Sequence, residues 1–340
     1  MMTTRTLGYV VPLLYTLKTR SKNGVGKWSW VMIYFVPMLL LAWFFTGGSM
    51  APSTARWVGQ GGLLAAAGII PAVLSLFSVY EIGHLHHDTS ARTTKQAPVF
   101  WLTPEEKAEV RAQLWALTVL KLVVALGLAA FSVWLASGAG IYAAQGTAAW
   151  GIGGHPYYSF GLLAGAMALL LAVLFVHYRL QGKASILTFG LLSMLKYAAP
   201  ALVLLPLDLR SIPVLLMTVF LACSMPCLME YAAHKGVAGI RGWASEIDVL
   251  RIRYYCVLSA LCGMVWAVGK IWSTVEPFLP KAGGLIPASG PWGLSLHAVE
   301  YIGFVDALLV YFLIYWGVLL VYRSSQEWGR KLRGVLGKNM

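Results

Sequence analysis

Apolar residues in this chain come in runs long enough to cross a lipid bilayer, and that removes most folds from consideration before any motif is read. A helical span needs about 20 predominantly apolar residues, each advancing about 1.5 Å, to cover a hydrocarbon layer of about 30 Å. About eight segments meet that standard: 28–46, 60–83, 113–138, 158–178, 184–206, 211–232, 252–272 and 300–322. Only 11% of the 340 residues are charged, 59% are hydrophobic, and the mean hydropathy is +0.70. A soluble domain carries about a quarter charged residues. The expected fold is therefore all-α: a polytopic bundle of about eight spans, read as two four-span halves. The Gly- and Pro-containing segment 273–297 is too polar for a further span and suits a re-entrant or surface helix.

Basic residues set the orientation, because cytoplasmic loops hold an excess of Lys and Arg. With the N-terminus inside, most of the 26 basic residues fall on the cytoplasmic side. The opposite loops hold only Arg56, Arg210 and Lys281, while Lys121, Lys196 and Lys270 fall within spans. Both termini are expected in the cytoplasm. The net charge of +13 then reads as chemistry of an anionic leaflet or of phosphates, not of nucleic acid. Three regions follow: 1–27, a cytoplasmic segment; 28–322, the transmembrane domain; and 323–340, a basic tail. Within the first, the short apolar run Tyr9 to Leu17 precedes Lys18, Arg20, Lys22 and Lys27 and lacks a small-residue cleavage site. It is expected to be an interfacial amphipathic helix rather than a signal peptide. Cys223, Cys227, Cys256 and Cys262 all lie in apolar spans and read as small buried hydrophobes.

Two water-facing patches occupy matching places, each after the second span of its half. The first runs YEIGHLHHDTSARTTKQAP from Tyr80 to Pro98; the second runs EYAAHKGVAGIRG from Glu230 to Gly242. On a helix, residues three, four and seven apart share a face. Glu81, His84 and Asp88 have that spacing, with His87 adjoining, and so do Glu230 and His234. His86 points elsewhere. Ends that converge would offer carboxylates and imidazoles to a divalent cation, with Arg92, Lys95, Lys235 and Arg241 behind them to hold phosphate oxygens. A histidine at a span end equally suits a capping or snorkelling role. A carboxylate such as Glu81 or Glu230 just inside the membrane is costly without a partner.

This arrangement resembles the UbiA superfamily of intramembrane prenyltransferases, helical bundles with two acidic motifs after the second and sixth spans. HHDTSAR, ending at Arg92, stands where that family has NDxxD, and Asp88 matches the first aspartate. Glu230 and His234 stand where it has DxxxD. The resemblance implies a transferase acting on a prenyl or polyprenyl phosphate or diphosphate, moving a prenyl or a phosphoribosyl group. It implies that Asp88 and Glu230 hold the diphosphate through magnesium and act in catalysis; helical spacing adds Glu81, His84, His87 and His234 as candidate magnesium ligands, and Lys196 is a further catalytic candidate from its place within a span. The chain departs from the family at His87, Ala91 and His234, which replace an asparagine and two acids, so the usual clamp on a diphosphate is weakened.

Lys196, inside the fifth span beside Tyr197 and ahead of Pro200, is a functional candidate because an intramembrane lysine is expensive. It is expected to contact phosphate or to pair with an acid such as Asp306. Two other classes stay open. Glu81-x-x-His84 has the spacing of a di-iron ligand pair, which would make the protein an iron-dependent oxidoreductase. Degenerate acidic motifs also suit a non-catalytic lipid carrier or transporter. The expected partners are membrane lipid and an isoprenoid phosphate.

Overall fold

The computed structural model describes residues 4–20, 28, 31–47, 60–90, 102–138, 156–180, 183–204, 211–237, 247–275 and 296–336. Helices dominate them, and no strand occurs among the described residues. Two short helices open the chain, α1 (Thr4–Gly8) and α2 (Leu14–Arg20). A π-helical turn, Val31–Phe35, leads into α3 (Val36–Gly47). Then come α4 (Gln60–Ser90), α5 (Pro104–Ala112), α6 (Leu114–Gly138), α7 (Pro156–Arg179) and α8 (Ala184–Leu204). Helix α9 (Ser211–Val219) passes through a second π-helical turn, Phe220–Ser224, into α10 (Met225–His234). The last two are α11 (Ile247–Val275) and α12 (Leu296–Leu336).

Among the described residues seven helices are long and apolar enough to cross a membrane, as in a multi-pass membrane protein. The first of the eight expected spans, 28–46, is represented by a shorter apolar stretch, Val31–Leu41. Helix α12 runs unbroken from the last span through residue 323 to Leu336. At 1.5 Å per residue α12 is about 60 Å long, twice the hydrocarbon thickness, so its charged end continues the span as helix. The chain forms two compact units, Met1–Ser224 and Met225–Met340.

In the first unit α4 is the hub. Ile69, Val73, Leu76, Phe77, Ile82 and Leu85 are all buried on it. It packs against α6 most extensively and also meets α3, α7 and α8. Between membrane helices, close packing and interhelical hydrogen bonds replace the hydrophobic drive available in water. Here Ser132 Oγ donates to Gly68 O at 2.6 Å and Ser78 Oγ to Lys121 O at 3.0 Å. A Cβ on Gly68 would sit 3.3 Å from Ser132 O, so the α4–α6 approach needs a small residue there. The outer face of α6 is apolar and exposed, with Trp115 at one end and Trp134 at the other. They are about 28 Å apart along the axis, close to the hydrocarbon thickness, and mark its two interfaces.

The second unit pairs α11 with α12, and α10 packs on α11. Four-residue steps along α11 meet α12 in reverse order. Arg251 lies over Trp316 at 3.9 Å, and Tyr255 stacks on Phe312 at 5.2 Å. Ser259 Oγ donates to Asp306 Oδ1 at 2.5 Å. A Cβ on Gly263 would sit 3.1 Å from Asp306 Oδ2.

Tyr9 to Leu17 does not form one amphipathic helix. Pro12 interrupts it, and Leu13 adopts a left-handed φ of 72° before α2 begins. Tyr9 and Tyr15 are buried with Leu85, Val110 and Leu117. Of the cysteines, Cys223 alone is buried, and Cys256 is exposed. Its helix α11 presents Val257, Leu261 and Met264 outward as well.

Candidate functional site

A polar cluster sits at the C-terminal end of α4 in the first unit. The helix carries Tyr80, His84, His87 and Asp88 to neighbouring elements at successive levels. Asp88 is buried and accepts a hydrogen bond from Tyr15 Oη of α2 at 2.8 Å. Its other oxygen lies 3.4 Å from His87 Nδ1. The His87 ring stacks on Tyr178 of α7 at 4.4 Å, and Tyr178 Oη is 2.9 Å from His84 Nδ1. His84 in turn meets the edge of Tyr80 at 4.5 Å.

One level deeper, Lys196 of α8 is almost fully buried with its ammonium 4.4 Å from the Tyr80 ring centroid and 5.2 Å from that of Tyr34. Its Nζ also reaches Tyr34 Oη at 3.4 Å. Tyr34 is held by stacking on Tyr197 at 5.3 Å and by the edge of Phe77 at 4.8 Å. Aromatic faces attract a desolvated ammonium through the ring quadrupole, by about 2 kcal/mol when water is excluded. That explains how Lys196 is tolerated within a span. Pro200 does not break α8, which runs on to Leu204.

Glu81 departs from its expected place among the metal ligands. It is fully buried, and Lys121 Nζ, itself fully buried, donates to Oε2 at 2.6 Å. The amide of Leu13 donates to the same oxygen at 3.1 Å and that of Thr16 to Oε1 at 2.7 Å. The carboxylate therefore anchors the N-terminal segment. His84 faces Tyr178 instead, so the structure does not bring Glu81 and His84 together, and as placed these donors do not form a di-iron ligand set. Among the described residues no group of three His, Cys, Asp or Glu side chains comes together to hold a metal ion. Magnesium can bind through a single carboxylate completed by substrate phosphate and water. Asp88 is the residue of this unit that fits such a role.

Other expectations resolve individually. His86 faces away from the cluster, to Thr118 Oγ1 at 3.0 Å. His177 ties α7 to α8 through Thr188 Oγ1 at 2.8 Å. Glu230 belongs to the second unit, where Arg251 is its ion-pair partner. Lys235 lies over the ring of Tyr231 at 5.2 Å. Asp306 accepts from Ser259, as described above. Arg92, Lys95 and Arg241, and the side chain of His234, lie outside the described residues.

Sequence reasoning missed Tyr178, Tyr34, Tyr15 and Arg251. Arg251 opens the seventh expected span beside Arg253, a signal that was present. The tyrosines carry none, because aromatic residues are common at every membrane interface.

Outside the spans, Lys18 donates to Glu106 Oε1 at 2.5 Å and to Tyr9 Oη at 2.6 Å. Burial alone would lower its ammonium pKa, but these hydrogen bonds outweigh burial and leave it raised. Glu106 also closes a capping box with Thr103 at the start of α5. The neighbouring Glu105 carboxyl is held below its usual range, first by a hydrogen bond from its own backbone N–H and then by the Thr103 hydroxyl.

No protein-family model matches this chain, nor does any curated protein or solved structure.

Proposed function

We propose that the protein is a membrane-embedded transferase acting on an isoprenoid phosphate or diphosphate, with the α4 cluster of the first unit holding the headgroup. The observation that carries this reading is the buried Lys196 ammonium one aromatic ring away from the His84–Tyr178 pair. Beyond His84, toward the C-terminal end of α4, lies the buried carboxylate Asp88. An anionic headgroup needs a fixed cation and hydrogen-bond donors in a water-poor site, where charge interactions are strong. Lys196 supplies the cation, and His84, His87 and Tyr178 supply donors. Asp88 would hold a magnesium ion, which when bound neutralises charge gathering on the leaving phosphate. The apolar bundle suits the hydrocarbon tail of such a lipid.

The test is binding and turnover of a polyprenyl phosphate and a polyprenyl diphosphate by protein purified into lipid nanodiscs, with and without magnesium. Lys196→Met and Asp88→Asn should each abolish turnover while leaving a monodisperse protein. Unchanged turnover in both variants refutes the proposal. Tight binding without turnover in the native protein would favour a lipid carrier.

A further inference from the structure

The N-terminal segment 4–20 is docked by one face and apolar on the other. Tyr9 and Tyr15 are buried, Thr6 Oγ1 donates to Gln113 Oε1 at 2.7 Å, and Lys18 grips Glu106. Leu7, Val11 and Leu14 are exposed on the outside. The turn between the two helices reaches the Glu81–Lys121 pair. Lys121 lies about 9 Å along α6 from Trp115, the residue that marks the interface. The amides of Leu13 and Thr16 therefore bond at a depth where backbone must be satisfied by protein. At that depth Glu81 is their acceptor.

The segment also covers the functional cluster, since the Tyr15 hydroxyl is the donor that closes over Asp88. Docking carries built-in costs. Leu13 holds a left-handed backbone, a conformation costing a non-glycine residue about 1–2 kcal/mol. Thr16 Oγ1 is buried with no hydrogen-bond partner among the described residues. Strained backbone and an orphaned hydroxyl weaken a contact that is otherwise well made, as a segment that opens and closes requires.

We propose that residues 4–20 form a re-entrant lid latched by Glu81, and that the lid must lift for a headgroup or a water-borne reagent to reach Asp88. The proposal adds regulation to the site proposed above, and its test does not depend on transfer chemistry. The four native cysteines are replaced by alanine, and a single cysteine is placed at Thr89, which is buried on α4 beside Asp88. Its reaction with a water-soluble maleimide is timed in nanodiscs, with Ser90→Cys, an exposed neighbour, as the control.

Thr16→Pro removes one amide that Glu81 accepts and disfavours the helical backbone of Tyr15, leaving every bundle residue intact. Tyr15→Phe removes the hydroxyl that donates to Asp88 and keeps the ring. The expected result is slow labelling at position 89 in the parent and at least tenfold faster labelling with Thr16→Pro. Tyr15→Phe should give a smaller rise, and position 90 should be unaffected. Equal rates at position 89 with and without both substitutions would overturn the lid. So would a matching rise at position 90, which would indicate general loosening. Absence of turnover by the native protein, with the labelling pattern as expected, would count against the transferase reading and leave the lid standing.

Discussion

The Glu81–Lys121 pair gives the sharpest test of how this unit is held together, because the carboxylate serves two masters. Lys121→Met removes one ion of a fully buried pair. Leaving the other uncompensated costs about 3–5 kcal/mol. Glu81→Leu strands the Lys121 ammonium at a similar cost and also leaves the amides of Leu13 and Thr16 without their acceptor. An unsatisfied buried donor costs about 1–3 kcal/mol. Exchanging a whole buried ion pair for apolar residues is often close to neutral. The double variant Glu81→Leu/Lys121→Met should thus recover the ionic part and keep only the amide part, a deficit of about 2–6 kcal/mol. Unfolding in mixed micelles of rising denaturing-detergent fraction, followed by tryptophan fluorescence, measures all four members of the cycle. A double variant as stable as the native protein would refute the role of Glu81 as the N-terminal anchor. A Lys121→Met cost below about 1 kcal/mol, the range of exposed pairs, would mean that the pair is solvated.

Four further substitutions have expected outcomes. Gly303→Ala places a Cβ 2.5 Å from Trp266 Nε1, so the indole must move and thermal stability should fall by about 1–3 kcal/mol. Gly127→Ala on the exposed face of α6 meets nothing within 4 Å and should be neutral or stabilising by up to about 1 kcal/mol. Arg251→Lys loses the stack on Trp316 and the planar contact with Glu230; thermal denaturation should show a loss of about 1–2 kcal/mol. Thr103→Ala removes the capping box and should raise hydrogen exchange across 104–112, at a cost of about 1 kcal/mol. The same amides should lose protection as pH falls, judged against the intrinsic exchange rate at each pH. The Glu105 pKa is lowered by folding, so its contribution is present above the usual carboxylate range and is lost as pH falls through the lowered value. The Lys18 contribution has the opposite sign: it is present below the usual ammonium value and lost as pH rises through the raised one.

Most of the spans were legible in advance, because a bilayer imposes one simple demand on length and polarity. The runs predicted at 60–83, 113–138, 158–178 and 184–206 return as α4, α6, α7 and α8. Helical spacing was enough to set His86 apart from His84 and Asp88, and the cost of a charge in hydrocarbon was enough to single out Lys196. Partner choice was not legible. Glu81, His84 and Asp88 share a helix face by spacing, yet they end on Lys121, Tyr178 and Tyr15, which come from three separate elements.

By itself, then, the chain's hydropathy determined an all-helical membrane protein and the polar end of α4 within it. Only the tertiary structure decided that Glu81 is an anchor, that Lys196 rests among tyrosines, and that the N-terminal segment folds inward over Asp88. The physical reason is that burial in lipid is a property each segment carries along its own length. Satisfying a buried charge depends on which donors from distant segments arrive within about 3 Å of it.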